Sequence, residues 1–111
     1  MLNYNLYVRQ IIEMILLLKR SNLERLESDR LMFDATMMRL QVIGESTNKI
    51  PLKMRKKYAF IPWGSLIRTR DFVSHNYEWV NPVVMREFIL TKVIPLENAL
   101  KKILKEENKD E

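Results

Sequence analysis

Only two glycines and four prolines interrupt this chain of 111 residues. Those two residue types make tight turns possible, and sheets built from many short strands need a generous supply of them. The intervals between them are long and rich in Leu, Ile, Met, Lys and Glu, all good helix formers. The prediction is an all-α fold with long helices, and the pattern argues against a barrel or a sandwich. With 47% hydrophobic and 30% charged residues the balance is that of a globular protein. The length suits one domain, expected over residues 1–107 with 108–111 as a frayed tail.

Periodicity places the helices. Tyr4, Tyr7, Val8, Ile11, Met14, Ile15 and Leu18 recur at helical spacing, which predicts a first helix over about residues 3–20. Leu6, Leu16 and Leu17 lie off this stripe and offer a second apolar surface. In SNLERLESD, Ser21 or Asn22 can cap a short turn, and Ser28 or Asp29 can cap a long helix reaching about Lys49. That helix carries two stripes, Leu31, Ala35, Met38 and Val42 on one side and Phe33, Met37, Leu40 and Gly44 almost opposite. A helix apolar on two sides is central, packed on its own bundle and open to a partner subunit. Gly44 in mid-helix costs roughly 1 kcal/mol relative to alanine; it is either tolerated or required by a close backbone.

Pro51 opens a short basic helix, LKMRKKY, in which Lys53, Arg55, Lys56 and Lys57 form either an RNA-binding patch or a solvated surface. IPWG begins the next helix, reaching at least His75, with Trp63, Leu66 and Ile67 as its apolar contacts. Asn81 and Pro82 start a last helix that Pro95 should kink or divide. The closing KEENKDE lacks apolar periodicity and is expected to fray. The sum is a compact four- to five-helix up-and-down bundle. Seven methionines are read as core filler.

Several classes of function fall away. Without cysteine there is no disulfide framework and no thiolate metal site, which fits a cytoplasmic address. The longest apolar run, MILLL at 14–18, is too short to span a bilayer, and the amino terminus lacks a signal-like core, so an intact soluble chain without a membrane partner is expected. No P-loop, dinucleotide fingerprint, metal triad or Ser-His-Asp arrangement is present. The net charge of +5 permits an acidic partner without demanding one.

The remaining candidate is the stretch RTRDFVSHNYEW, which holds the only histidine of the chain. At roughly 100° per residue Arg68, Asp71 and His75 share a face, and Arg70, Ser74 and Tyr77 sit on another. The Asp71 carboxylate, one turn before His75, can hold the imidazole in one tautomer. Arg70 lies about 140° round from His75 at that helical pitch. For both to act on one small ligand, the arginine must reach around, the helix must tighten, or a twofold-related copy must supply the second group. Histidine moves protons near neutral pH and arginine offers a fork of donors to phosphate oxygens. Metal-independent RNA cleavage needs both services, one to activate the 2′-hydroxyl and one to stabilise charge on phosphorus. The plainer alternative is a histidine that caps helix carbonyls among surface ion pairs.

Arg70 to Tyr77, RDFVSHNY, resembles the Arg-x4-His-x-Tyr motif of HepT-like toxins in the HEPN superfamily. VIGES at 42–46, IPW at 61–63 and VVMREFILTKVIPLENAL from Val83 are similar to further segments of that family, in the same order, so the resemblance covers almost the whole chain. It implies a HEPN-like helical bundle forming a homodimer, with motif arginines and histidines facing one another across a cleft between protomers. It implies a metal-independent endoribonuclease, the toxin of a pair whose minimal-nucleotidyltransferase antitoxin transfers AMP from ATP to the motif tyrosine. Arg70 would then stabilise phosphate, His75 would serve as acid or base, Asp71 would orient the site, and Tyr77 would be the modification target, with Arg68 and the basic helix as further RNA contacts. RNA cleavage would need no cofactor; ATP is the expected donor used by the antitoxin. Two other readings compete: a noncatalytic helical module that binds a nucleotidyltransferase or nucleotide, and a structural bundle whose basic residues only solubilise it.

Overall fold

The computed structural model describes residues 4–108, and among them every regular element is helical. Helix α1 (Asn5–Arg20) is followed by a 3-10 turn at Leu23–Arg25 and by α2 (Arg30–Lys49). A short α3 (Leu52–Lys57) leads into α4 (Trp63–His75) and a 3-10 turn at Tyr77–Trp79. The chain ends in α5 (Pro82–Phe88) and α6 (Glu97–Asn108), the two halves of one divided helical path. Residues 1–3 and 109–111 lie outside the described residues, including the last three positions of the expected tail.

Local chemistry sets the boundaries. The Asp29 carboxylate accepts from the Met32 amide at 3.1 Å and starts α2, so Asp29 and not Ser28 is the cap. Neither Ser21 nor Asn22 caps its turn: the Ser21 hydroxyl donates back to the Leu17 carbonyl, and Asn22 makes no side-chain cap bond. Asn81 accepts from the amides of Val83 and Val84, with Pro82 at the first turn of α5. Pro95 has no amide hydrogen to donate, and its ring conflicts with the carbonyl of residue 91. The path loosens to a π turn at Ile89–Val93, tightens to a 3-10 turn at Ile94–Leu96, and resumes as α6.

Packing follows the stripes. α1 lies against α2 and α6, and α2 lies against α1 and α4, making α2 a central helix as expected. Val8, Ile11, Ile15 and Leu18 of α1 meet Phe33, Met37, Leu40 and Ile43 of α2 in one core with Trp63, Leu66 and Val73 of α4. The second stripe of α2 stays outside it. Leu31 is 82% exposed and Met38 59%, while Ala35 and Val42 are half-buried. No helix among the described residues is long and apolar enough to cross a membrane.

One feature decides between two sequence-based alternatives, and another corrects an expectation. Gly44 is not merely tolerated: it is buried where α4 crosses α2, and any β-carbon there would run into Arg70 and the Leu66 carbonyl. The KEENKDE segment does not fray over 105–108, because α6 continues to Asn108 and Glu107 is only 8% exposed. The Glu107 carboxylate accepts from the Tyr4 hydroxyl at 3.0 Å, from Lys57 at 2.9 Å, and from the Tyr58 hydroxyl. Hydropathy could not anticipate this, since the segment is held by polar partners on α3 and at the start of the bundle.

Candidate active site

Everything in the RTRDFVSHNYEW stretch is positioned by α4 and the turn after it. The Trp63 indole donates to the carbonyls of Arg55 and Tyr58, which ties the start of α4 to the end of α3. Gly44 lets α4 settle closely on α2, and Arg70 stands at that crossing. Its guanidinium reaches the Glu45 carboxylate at 2.8 Å with one nitrogen and the Asp71 carboxylate at 2.9 Å with the other. These two hydrogen bonds, Asp71 foremost, push the arginine pKa further up from its ordinary value. Gly44, Glu45, Asn48, Lys49, Ile67, Arg70 and Asp71 line an open groove of about 390 Å³. Exposed ion pairs of this kind add little stability. Here they hold the planar fork in one place, and a phosphate entering the groove competes with both carboxylates for it.

His75 is the last residue of α4 and is exposed. Its Nδ1 lies 2.8 Å from the backbone carbonyl oxygen of Asp71. A carbonyl oxygen only accepts, so Nδ1 carries the hydrogen and the neutral ring keeps its free lone pair on Nε2. The tautomer is therefore set by the backbone of Asp71. The Asp71 carboxylate, expected on the ring, is turned to Arg70 instead. Neighbouring Ser74 donates to Gln41 of α2 at 3.2 Å.

Tyr77 makes its side-chain contacts with α2. Its ring packs edge-on to Phe33 at 5.5 Å, and its hydroxyl donates to the Asp34 carboxylate. Arg30 donates to the same Asp34 oxygen at 3.0 Å and lies over both rings, 5.4 Å from the centroid of Phe33 and 5.5 Å from that of Tyr77. Burial first, and the bond to Asp34 second, push the Tyr77 pKa up. Tyr77 borders a groove of about 310 Å³ with Ser28, Arg30, Glu78, Val80 and Pro82 in its walls, and this groove shares no lining residue with that of Arg70.

The expected basic surface is redistributed. Arg68 does not join Asp71; it contacts Ser65 and lines a third groove of about 380 Å³ with Arg55, Lys56, Leu52 and Trp63. Arg55 also donates to the Ile50 carbonyl, and Lys57 is engaged by Glu107. Lys53 and Lys56 are exposed. Glu45, Asp34 and Arg30 emerge as partners that sequence reasoning did not assign. Arg30 and Asp34 carried a local signal, the i,i+4 spacing of opposite charges, but their meeting with Tyr77 depends on the α2 to α4 packing.

A family model described as ribonuclease HepT-like matches residues 7–103. The chain belongs to the HepT-like ribonuclease family. Among its relatives is a protein named "Putative RNase" from Caldanaerobacter subterraneus subsp. tengcongensis, 32% identical over 89 residues that make up 80% of each chain. A "Gamma-glutamylcyclotransferase and putative RNase" of Methanocaldococcus jannaschii is 28% identical over 109 residues, 95% of this chain. This chain spans about half of that protein, 49%. A "Probable ribonuclease HepT" of Thermococcus cleftensis is 28% identical over 71 residues, 64% of each chain. No solved structure matches at comparable significance. The HepT-like match runs from α1 into α6, and RDFVSHNY lies within it.

Proposed function

We propose that this HepT-like protein is a metal-independent endoribonuclease, the toxin of a pair with a minimal nucleotidyltransferase, acting as a homodimer in the cytoplasm. The observation that carries the reading is the hydrogen bond of His75: Nδ1 is occupied by the Asp71 carbonyl, so the neutral form of the ring has its lone pair on Nε2, on the helix that also presents Arg70. A neutral imidazole in that tautomer accepts a proton from a ribose 2′-hydroxyl. The arginine fork stabilises the negative charge that builds on phosphorus as the 2′-oxygen attacks. A second histidine from a twofold-related copy would protonate the leaving 5′-oxygen. DNA lacks the internal nucleophile and would not be cut by this route.

The exposed stripe of α2 supports the dimer. Met38 is one turn from Gln41, and Gln41 contacts Ser74 beside His75, so protomers joined along this stripe would bring both helix ends toward one cleft. The groove lined by Arg55, Lys56, Arg68 and Trp63 offers cationic and aromatic contacts for RNA leading into the site. AMP transferred from ATP to Tyr77 would silence the enzyme by adding bulk and negative charge.

The deciding experiment incubates purified protein with cellular RNA in EDTA, beside His75→Ala and Arg70→Ala, with mass spectrometry establishing that Tyr77 carries no adduct. New discrete RNA ends from the parent alone are expected. Undiminished cutting by His75→Ala would remove the reading. One observation favours a second reading, a noncatalytic module for a nucleotidyltransferase: Tyr77 occupies its own groove, which a partner can engage without touching Arg70. That reading predicts a stable complex and intact RNA.

A further inference from the structure

We infer that Asp34 is the proton acceptor for Tyr77 when its hydroxyl is modified, and that Arg30 receives the charge the adduct brings. The inference rests on the reading of Tyr77 as the acceptor of AMP, and assigns the residues of this chain that make its phenol reactive. A tyrosine hydroxyl is a weak nucleophile at neutral pH because its ordinary pKa is about 10. It needs a base that takes its hydrogen as the new bond forms. The Tyr77 hydroxyl already donates to the Asp34 carboxylate, and Arg30 fixes the oxygen concerned at 3.0 Å. Asp34 remains 46% exposed, so a proton it takes can pass to water.

The other carboxylate-bonded tyrosines show what distinguishes this one. Tyr4 and Tyr58 also donate to a carboxylate, that of Glu107, but this carboxylate is only 8% exposed, and Tyr58 itself lies inside the core. Tyr77 pairs the same chemistry with a place on a solvent-open groove. In the transfer step the Tyr77 oxygen bonds to the α-phosphorus of a nucleoside triphosphate held by the nucleotidyltransferase. The bond from that phosphorus to the bridging oxygen breaks, and pyrophosphate leaves with the electron pair. The phenolic proton goes to Asp34. The adduct gains a phosphodiester charge next to a protonated acid, and the Arg30 guanidinium, over the Tyr77 ring, is free to turn from Asp34 to the phosphate.

The test uses the full chain and an adenosine-bearing aryl sulfonyl fluoride, which needs no nucleotidyltransferase. The phenol oxygen bonds to sulfur, fluoride leaves, and the proton must again be taken by a base. Peptide mass spectrometry follows the labelling rates of Tyr77 and Tyr7 in the parent, Asp34→Asn and Asp34→Glu. The side-chain amide oxygen in Asp34→Asn can still accept the Tyr77 hydrogen bond, so geometry is kept while basicity is lost. Expected are faster labelling of Tyr77 than Tyr7 in the parent, at least about a tenfold fall at Tyr77 in Asp34→Asn, partial recovery in Asp34→Glu, and an unchanged rate at Tyr7. Equal Tyr77 rates in the parent and Asp34→Asn would overturn the assignment. Asp34-dependent labelling alongside a failure of the nucleotidyltransferase to add AMP would instead retire the AMP reading and leave the proton acceptor standing.

Discussion

Gly44 lies beneath Arg70, and a β-carbon on the glycine would overlap the Arg70 side chain and stand 2.9 Å from the Leu66 carbonyl oxygen. The helix crossing that builds the core and the groove that presents the arginine therefore depend on one missing methyl group. Gly44→Ala gains roughly 1 kcal/mol in helix propensity but forces backbone apart at a cost of about 1–3 kcal/mol. A net loss is expected, read as a lower urea midpoint, together with reduced RNA cleavage as Arg70 shifts. Gly64→Ala is the contrasting case, because its new methyl meets only the flexible end of Arg68 at 3.0 Å. It should be neutral or slightly stabilising in the same titration.

Glu45 tests whether the arginine is held in readiness or held back. Removing its charge by Glu45→Gln leaves Arg70 compensated by Asp71 alone. RNA binding should tighten severalfold and its salt dependence should steepen, with the slope of log K against log salt growing by about one phosphate contact. Filter binding over a salt series measures both. An unchanged slope would mean that Arg70 does not reach phosphate.

The polar node around Glu107 predicts a stability profile with two arms. The carboxyl is held below its ordinary pKa, by the Tyr58 hydroxyl first and by Lys57 and Tyr4 as well, against the opposing effect of burial. Its contribution is complete above the unfolded value of about 4.3 and is lost as pH falls through the lower folded value. The Tyr58 phenol is pushed up by burial and then by Glu107, so its contribution is present below about 10 and is lost as pH rises through the folded value. Glu107→Gln should cost about 1.5–3 kcal/mol at neutral pH and flatten the acid arm, measured by denaturant unfolding across pH.

Along α2 the expectation concerns assembly. Met38→Glu places a charge in the middle of the exposed stripe without touching the core. Light scattering should find the parent as a dimer and the variant as a monomer with undiminished helix content by circular dichroism. A dimeric variant would move the interface elsewhere.

The sequence made some of this architecture legible because the deciding chemistry was local. Asp29 and Asn81 cap the residues immediately after them, and Pro95 disrupts its own turn, so their effects were written within a few positions. The residues Arg70, His75 and Tyr77 stood out for a different reason, the resemblance of RDFVSHNY to the Arg-x4-His-x-Tyr motif. Their partners were not. Glu45, Asp34 and Arg30 reach them only because α2 and α4 pack together, and no period in the chain encodes which carboxylate meets which donor. In the basic helix the same holds of Lys57, which turns to a buried glutamate that apolar patterning could not predict.

The contact between Tyr4 and Glu107 joins positions 103 residues apart. Most helix pairings in this bundle can form soon after each segment is made, since neighbours in sequence are neighbours in space. This one cannot. It waits for the last turn of α6, so a ribosome must pass every other helix of the bundle before the fold can close. The segment of Arg70 and His75 is therefore synthesised well before the contact that closes the bundle can form.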